Sequence, residues 1–249
     1  MAAAVLWAGR ISNMKGNAPM PATCWSSVRG KVMRVTRVDE CGNVVPGPCA
    51  QVVSKGFVSI AYASEIKEGT ETEVENANGD LCVSGKSCDE LKWINLTMSF
   101  CSVDPDLVTL MTGYQSVLDF AGNAVGNRIG KKILCEGGFA LEVWSDIPGQ
   151  NCQLTGSRLY GYFLAPWVKN AILTGFTLEN DGANFEITAR TEIGGNWGVG
   201  PYNVDPTDNA SPPAAGPLLT PFGPEDHLDL HATTVPPPEP QCGCQPLTL

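Results

Sequence analysis

Charged side chains are scarce in this sequence. Asp, Glu, Lys and Arg make up 17% of its 249 residues, whereas an average globular protein has about a quarter. Glycine and proline are abundant instead, with 27 and 19 residues. Both disfavour helix interiors, so the composition favours many strands joined by turns. We predict an all-β protein, and a chain of this length can bury a substantial core.

Positive charge is also in short supply. The chain carries 16 Lys and Arg against 26 Asp and Glu, which gives a formal net charge of -10 and an isoelectric point near 4.6. A protein that holds nucleic acid neutralises its phosphates with Lys and Arg, so this composition argues against a nucleic-acid-binding surface. An acidic wall that lets DNA slide past is compatible with it.

The N-terminus lacks the features of an export signal. Its first ten residues, MAAAVLWAGR, start with an apolar run, but the first basic residue is Arg10, which follows the run instead of preceding it. The run is also too short for a secretory core or a membrane span. We therefore expect neither export nor membrane anchoring.

Signatures of common enzymes are missing as well. There is no Gly-x-Ser-x-Gly elbow and no His-Glu-x-x-His helix. Gly194–Gly200 (GGNWGVG) lacks the Gly-Lys-Ser/Thr ending of a phosphate-binding loop, so we expect a tight loop with Trp197 packed against the body. Glu71 and Glu73 resemble a glycosidase pair, but period-two glutamates are typical of a strand face in water. We predict no catalytic or cofactor-binding residues and no enzymatic activity.

Candidate metal ligands are few. His227 and His231 are the only histidines, and on a strand they would share one face about 13 Å apart, too far for a single ion. Cys242 and Cys244 flank one glycine, whereas zinc-binding cysteines usually lie two to four residues apart and come with a second pair. We predict a solvated strand face for the histidines, a tail contact or bridge for the cysteines, and no metal site.

Ten cysteines stand out, because such a number in an exported chain indicates a disulfide framework. Without an export signal, we expect scattered small buried thiols. Three pairs remain candidates for bridges that close late, in oxidising surroundings. They are Cys41 with Cys49 across a hairpin, Cys82 with Cys88 across a loop, and Cys135 with Cys152.

Leu91–Gly113 predicts a strand that runs directly into a short helix. Apolar residues recur at every second position of Leu91–Cys101, which is typical of a half-buried strand. Asp104 then offers an N-cap oxygen, Pro105 suits the first helical position, and Gly113 can end the helix with positive φ. We predict one helix of about two turns over residues 104–113.

Further strands follow from alternation and turn residues. Asn78-Gly79 and Ala121-Gly122-Asn123 each predict the turn of a hairpin. We expect the core to contain Phe139, Leu141, Val143, Phe163, Phe176, Leu178, Phe185 and Ile187. The predicted strands are Lys31–Val38, Gly56–Ala63, Thr70–Asn76, Asp80–Val83, Leu91–Cys101, Ser116–Phe120, Ala124–Ile129, Phe139–Trp144, Leu159–Leu164, Ile172–Leu178, Asn184–Thr191 and Leu228–Thr233.

The two ends of the chain differ from this body. Residues 1–27 show no sustained periodicity, so we predict an N-terminal arm, followed by a β domain over residues 28–235. From Pro236 the proline run (PPPEP) enforces an extended chain. We expect residues 236–249 to form a C-terminal arm that docks on a neighbouring subunit.

Several segments occur in an order that resembles one family. In addition to Ser99–Gly113 (SFCSVDPDLVTLMTG), they are Val35–Gly42 (VTRVDECG), Gly56–Tyr62 (GFVSIAY), Glu75–Val83 (ENANGDLCV), Trp197–Val204 (WGVGPYNV) and Cys242–Pro246 (CGCQP). The ordered set spans roughly residues 31–246. It resembles the major tail protein, or tail-tube subunit, of long non-contractile-tailed bacteriophages.

The resemblance implies a β-sandwich or barrel-like tail-tube fold with one flanking helix and extended arms. It implies a structural virion protein, made in the bacterial cytoplasm, whose hexameric rings stack into the tube through which the genome is ejected. The implied partners are other copies of the chain, the tape measure protein inside the tube, tail terminator and distal tail proteins at its ends, and double-stranded DNA that passes without specific binding. No membrane contact and no site residues are implied.

Other functions remain open at this stage. A capsid decoration protein or a baseplate component is hard to distinguish from a tail protein by sequence, and a secreted β-rich binding module or a hydrolase with paired carboxylates are further alternatives. We favour an assembling protein because extended arms and open strand edges can pair with neighbouring copies. Within such a tube, the row Glu71, Glu73 and Glu75 is a candidate for the lumen-facing surface.

Overall fold

The computed structural model has an all-β fold with one short helix among the residues it describes, as predicted. The structure describes residues 25–27, 29–131, 133–147, 158–179, 182–210 and 213–249. The elements are β1 (Arg29–Val38), β2 (Gly47–Ser54), β3 (Phe57–Lys67), β4 (Glu71–Glu75), β5 (Leu81–Lys86), β6 (Glu90–Phe100), α1 (Pro105–Thr112), β7 (Gln115–Leu118), β8 (Ala124–Arg128), β9 (Gly138–Asp146), β10 (Tyr160–Glu179), β11 (Gly182–Thr191), β12 (Asp205–Pro206), β13 (Ala215–Gly216), β14 (Asp229–Thr233) and β15 (Gln245–Leu247).

Nine of the strands form one antiparallel sheet. Their order across the sheet is β15-β2-β1-β9-β10-β11-β6-β3, and β14 pairs with the first half of β10. Small two-stranded ladders join β4 to β5, β7 to β8 and β12 to β13. The sheet therefore has β15 at one edge and β3 at the other.

β10 belongs to both halves of the sheet. Its first half pairs with β9 and its second half with β11, and the register shifts between Ala165 and Val168, again between Lys169 and Ile172, and between Leu173 and Gly175. Asn170 in this stretch has φ of 56°, a left-handed conformation that asparagine tolerates better than most residues. Such irregularities bend and twist a strand, and β10 turns the sheet here. We predicted two separate strands, and the structure shows one continuous strand of 20 residues.

The main core lies between the two halves of the bent sheet. One cluster of buried side chains combines β1, β2 and β9 from the first half with β6 and β11 from the second, and α1 contributes to the same cluster. Its members include Met33, Val35, Val52, Leu96, Met98, Phe100, Leu107, Leu110, Met111, Phe139, Leu141, Val143 and Ile187. A sheet packed against itself in this way is a β-sandwich arrangement.

A second core covers the outer side of β9 and β10. Trp144, Tyr162 and Leu164 of these strands pack with Trp197 and Leu218, which lie in the long segment between β11 and β14. Trp197 is buried, as predicted for the glycine-rich loop. The segment of residues 192–228 thus acts as a cover for this face of the sheet.

Helix α1 begins and ends as the sequence predicts. The Asp104 carboxylate accepts a hydrogen bond from the backbone N–H of Asp106 at 2.9 Å, and Pro105 occupies the first turn. Gly113 ends the helix with φ of 72°, and its N–H donates to the carbonyl of Thr109. These caps satisfy groups that the helix itself leaves unpaired.

Two predicted core residues lie at the surface instead. Phe176 and Leu178, in the second half of β10, are 52% and 74% exposed. Phe163 and Phe185 are partly buried against the core, and the other four predicted residues are buried. The end of the β10–β11 hairpin extends beyond the sandwich, so both faces of β10 reach solvent there.

The C-terminal segment corrects another expectation. We expected residues 236–249 to dock on a neighbouring subunit, but β15 pairs with β2 of the same chain. Cys244 forms a disulfide with Cys49, which contradicts the predicted Cys41–Cys49 pair. We did not predict β2, because Pro46 and Pro48 at its start are typical of loops and strand edges.

Some predictions fall outside the described residues. These are most of the N-terminal arm and Cys152 of the predicted Cys135–Cys152 bridge. Among the described residues, none of the helices has the length and hydrophobicity required to cross a membrane.

Candidate assembly surfaces and polar clusters

The most exposed part of the body is a long β ribbon formed by residues 63–92. It consists of the β4–β5 hairpin and of the neighbouring ends of β3 and β6. These two strand ends pair with each other, beginning with Lys67 opposite Glu90. Side chains on both faces of β4 and β5 are exposed. A hairpin that rests on a core buries one face, so this one stands away from the sandwich.

Apolar residues are exposed along this ribbon. Ile66, Val74, Leu81, Val83 and Leu91 are each about half exposed. In addition, β3 is the last strand of its sheet, and an edge strand presents unpaired N–H and C=O groups. A ribbon with exposed apolar side chains beside an open strand edge is suited to contact another protein chain.

The acidic row lies on the same ribbon. Glu71 pairs across the hairpin with Lys86, Glu73 with Ser84, and Glu75 with Leu81. All three glutamates are exposed, as expected for a strand face in water. Their orientation towards the lumen of a tube stays a prediction.

A second apolar surface lies beside α1. A groove of about 320 Å³ opens between the helix, β8 and the β10–β11 hairpin. Phe176 and Phe185 stack in its wall with their ring centroids 5.6 Å apart. At the tip of the adjoining β7–β8 hairpin, Phe120 is fully exposed. This end of the molecule therefore presents aromatic surface that the chain itself leaves uncovered.

A buried ion pair connects β1 to β9. Two nitrogens of the Arg34 guanidinium donate to the two carboxylate oxygens of Glu142 at 2.5 and 2.6 Å, and the Tyr162 hydroxyl donates to Glu142 at 2.7 Å. Tyr202 covers the guanidinium at 3.3 Å from its ring centroid. Burial alone lowers the pKa of Arg34, but Glu142 outweighs it and raises that pKa above its ordinary value.

The same surroundings raise the pKa of the two tyrosines that contact the pair. Burial, followed by the charge of Glu142, raises the pKa of Tyr162 well above its ordinary value. Burial is also the main reason why the pKa of Tyr202 rises to about 12. Arg34, Glu142 and Tyr162 line neither of the two cavities beside α1. This geometry fits a structural clamp between the sheet and its cover.

The two histidines are not on a solvated strand face, which corrects our prediction. His227 is buried before the start of β14, and its Nδ1 lies 2.8 Å from the Thr191 hydroxyl. Burial lowers the pKa of His227. His231 sits in β14 between two carboxylates, with Nδ1 2.7 Å from Asp229 and Nε2 3.0 Å from Asp205.

The carboxylates determine the charge of His231. Burial disfavours the imidazolium, but the hydrogen bonds to Asp205 and Asp229 outweigh it and raise the pKa of His231 to about 9. Burial alone raises the pKa of Asp205, but His231 and the N–H of Leu219 hold it below its ordinary value. A charged His231 thus ties β14 to the cover segment. Sequence reasoning missed this because Asp205 lies 26 residues away.

The cysteines also differ from prediction. Apart from the Cys49–Cys244 pair, the described cysteines are free and exposed rather than buried, and Cys82 and Cys88 do not pair with each other. The carboxylate of Asp106 and the two bridged sulfur atoms all lie within 4.8 Å of one another. The long separation of 195 residues between Cys49 and Cys244 gave no local signal in the sequence.

Comparison with known proteins provides no family assignment: no protein-family model matches the chain, and no curated protein is similar to it.

Proposed function

We propose that this chain is the tail-tube subunit of a long non-contractile phage tail. In this proposal six copies form a ring, rings stack into a tube, and the tube conducts the genome into the host. The subunit contacts other copies, the tape measure protein in the lumen, and terminator and distal proteins at the tube ends. Its location is the virion, after assembly in the bacterial cytoplasm.

The observation that carries the proposal is the ribbon of residues 63–92. It stands away from a complete β-sandwich, exposes apolar residues and lies next to the open edge of β3. Contact between such a ribbon and a different surface of the next copy is heterologous, and heterologous contacts generate rings or open stacks. The aromatic groove beside α1 offers a further surface at another place on the molecule.

The charge of the chain supports a conduit for DNA. Six copies at -10 each carry -60 per ring, and acidic walls do not provide the Lys and Arg contacts that retain phosphates. DNA can therefore move past such a surface without specific binding.

The ribbon can be tested by removing its exposed apolar side chains. Val74, Leu81 and Val83 are replaced together by serine, and the control carries serine at three exposed residues outside the ribbon, Ile193, Leu219 and Leu230. Both variants should keep the melting temperature of the parent within a few degrees, because exposed sites contribute little to stability. Electron microscopy should show rings or tubes for the control and monomers for the ribbon variant. Equal assembly by both variants, or equal loss, would show that the ribbon is not the contact.

A further inference from the structure

The cluster formed by Cys49, Cys244 and Asp106 combines three metal-ligating side chains. Cys49 lies in β2, Cys244 directly precedes β15, and Asp106 lies in the first turn of α1. The two sulfur atoms and a carboxylate oxygen lie within 4.8 Å of one another, and all three residues are half-buried. The sulfurs are joined in a disulfide, with Cα atoms 4.9 Å apart.

Contacts other than the disulfide also hold the cluster together. The N–H groups of Gly243 and Cys244 donate to the carboxylates of Asp104 and Asp106 at 2.7 and 3.0 Å. Directly after Cys244, β15 pairs with β2. Because these backbone contacts do not involve sulfur, reduction of the disulfide leaves the two thiols close to each other and to Asp106.

We propose that the reduced chain binds one Zn²⁺ ion through Cys49, Cys244 and Asp106. Thiolates and carboxylates are established zinc ligands, and zinc in proteins is usually four-coordinate and tetrahedral. Two Zn–S bonds of about 2.3 Å at the tetrahedral angle place the sulfurs roughly 3.8 Å apart, which side-chain rotation of two neighbouring cysteines provides. A cavity of about 460 Å³ borders Asp106, so water can reach this carboxylate and supply a fourth ligand.

Zinc and the disulfide exclude each other. A phosphine reduces the S–S bond by two electrons, takes an oxygen from water to become a phosphine oxide, and leaves two thiols. Zinc then displaces the thiol protons and binds the thiolates. A small disulfide such as oxidised glutathione takes the two electrons by thiol–disulfide exchange and leaves as two thiols, so the Cys49–Cys244 S–S bond forms again and Zn²⁺ is released. In either state, β15 and α1 stay tied to β2, and this inference does not depend on the tail-tube proposal.

The fold explains why the spacing of Cys242 and Cys244 gave no zinc prediction. No second, similarly spaced cysteine pair is present in the sequence, and the ligands that join Cys244 are single residues of β2 and α1, Cys49 and Asp106. Only the fold brings these residues together.

The test uses the full chain reduced with a phosphine, incubated with zinc and freed of unbound metal by gel filtration. Mass spectrometry of the metal content of the eluted protein should find one zinc ion per chain in the reduced protein and none in the oxidised protein. Cobalt in place of zinc should show thiolate-to-metal charge-transfer absorption. In competition with a chromophoric chelator, Asp106→Asn should weaken zinc binding at least about tenfold.

Two thiol variants complete the test. Cys49→Ser should lose the bound zinc, whereas replacement of both Cys82 and Cys88 by serine, which removes two exposed thiols elsewhere, should retain one zinc per chain. The comparison of reduced with oxidised parent protein needs no substitution and so holds even if a variant fails to fold. Zinc-free reduced protein, equal zinc in both redox states, or unchanged affinity in Asp106→Asn would overturn the proposal.

Discussion

At the scale of single residues, buried charges join the sheet to its cover. Arg34 and Glu142 are almost completely buried and form a bidentate pair. Burial of either charge alone is costly because both lose their hydration, and the pair offsets this only through its own contacts. Tyr162 and Tyr202 complete the surroundings through a hydrogen bond and ring stacking. The pair therefore determines how β1, β9 and the cover segment fit together.

Removal of one member of the Arg34–Glu142 pair should destabilise the protein more than replacement of both. Glu142→Gln leaves the Arg34 guanidinium buried without a counter-charge, so we expect the free energy of unfolding to fall by about 3–5 kcal/mol. Replacement of Arg34 by Met together with Glu142 by Leu should cost much less, because apolar pairs of similar volume often replace buried ion pairs without loss. Urea unfolding measures both values. A double variant as unstable as the single variant would contradict this reasoning.

His231 should make stability depend on pH. Its pKa is raised from 6.5 to about 9 in the folded protein, so the stabilisation from its charge is complete below pH 6.5 and is lost as the pH rises through about 9. His231→Gln removes the charge. We expect the variant to be less stable than the parent by about 1–3 kcal/mol at neutral pH, with the difference shrinking as the pH approaches about 10. Thermal unfolding across this range measures it. A difference that stays constant with pH would show that the imidazolium is not the stabilising species.

At the scale of elements, three hairpin turns share one hydrogen-bonding pattern. Asp39, Asn76 and Asp119 each begin a turn, and each side chain accepts hydrogen bonds from backbone N–H groups two and four residues later. A glycine with φ between 75° and 86° occupies the fourth position of each turn. Short polar side chains and glycine are the residues that such turns require, which is why turn positions could be predicted from local sequence.

Helix α1 and most strands of the body were predictable for the same reason. The caps at Asp104 and Gly113 act within a few residues, and the alternation in β6 matches its buried face. By contrast, β15 forms through pairing with β2, about 195 residues away, which leaves no local period, and the prolines at the start of β2 hid that strand. The exposure of Phe176 and Leu178 depends on where the sheet ends, a property of the whole fold. The His231 and Cys49–Asp106–Cys244 clusters were unpredictable for the same cause.

The packing of α1 can be tested with a charged substitution. Leu110 faces the core and is 3% exposed, so Leu110→Asp buries an unpaired carboxylate and should lower the free energy of unfolding by about 3–5 kcal/mol. The same change at Leu118, an exposed leucine in β7, serves as the control and should stay within about 0.5 kcal/mol of the parent. Chemical denaturation measures both. An unchanged Leu110→Asp protein would show that the helix does not pack on the sheet.

At the scale of the whole molecule, the β-sandwich has apolar surfaces that its own core does not bury. The ribbon of residues 63–92 and the groove beside α1 expose apolar side chains at separate places. The C-terminal segment, in contrast, is tied to its own subunit by β15 and by the Cys49–Cys244 bridge. On this account, assembly depends on the ribbon and the groove, while the C-terminus stabilises the subunit and protects the edge of β2.

Electron microscopy of the purified protein at high concentration, with and without a tail-tip or tape-measure partner as a nucleus, tests the central claim most directly. The account predicts six-fold rings or hollow tubes with an outer width of about 80–100 Å, the scale set by six domains of this size around one axis. Subunits that wait for a nucleus should form tubes when the partner is added. Strictly monomeric particles under both conditions, at every concentration tested, would contradict the account.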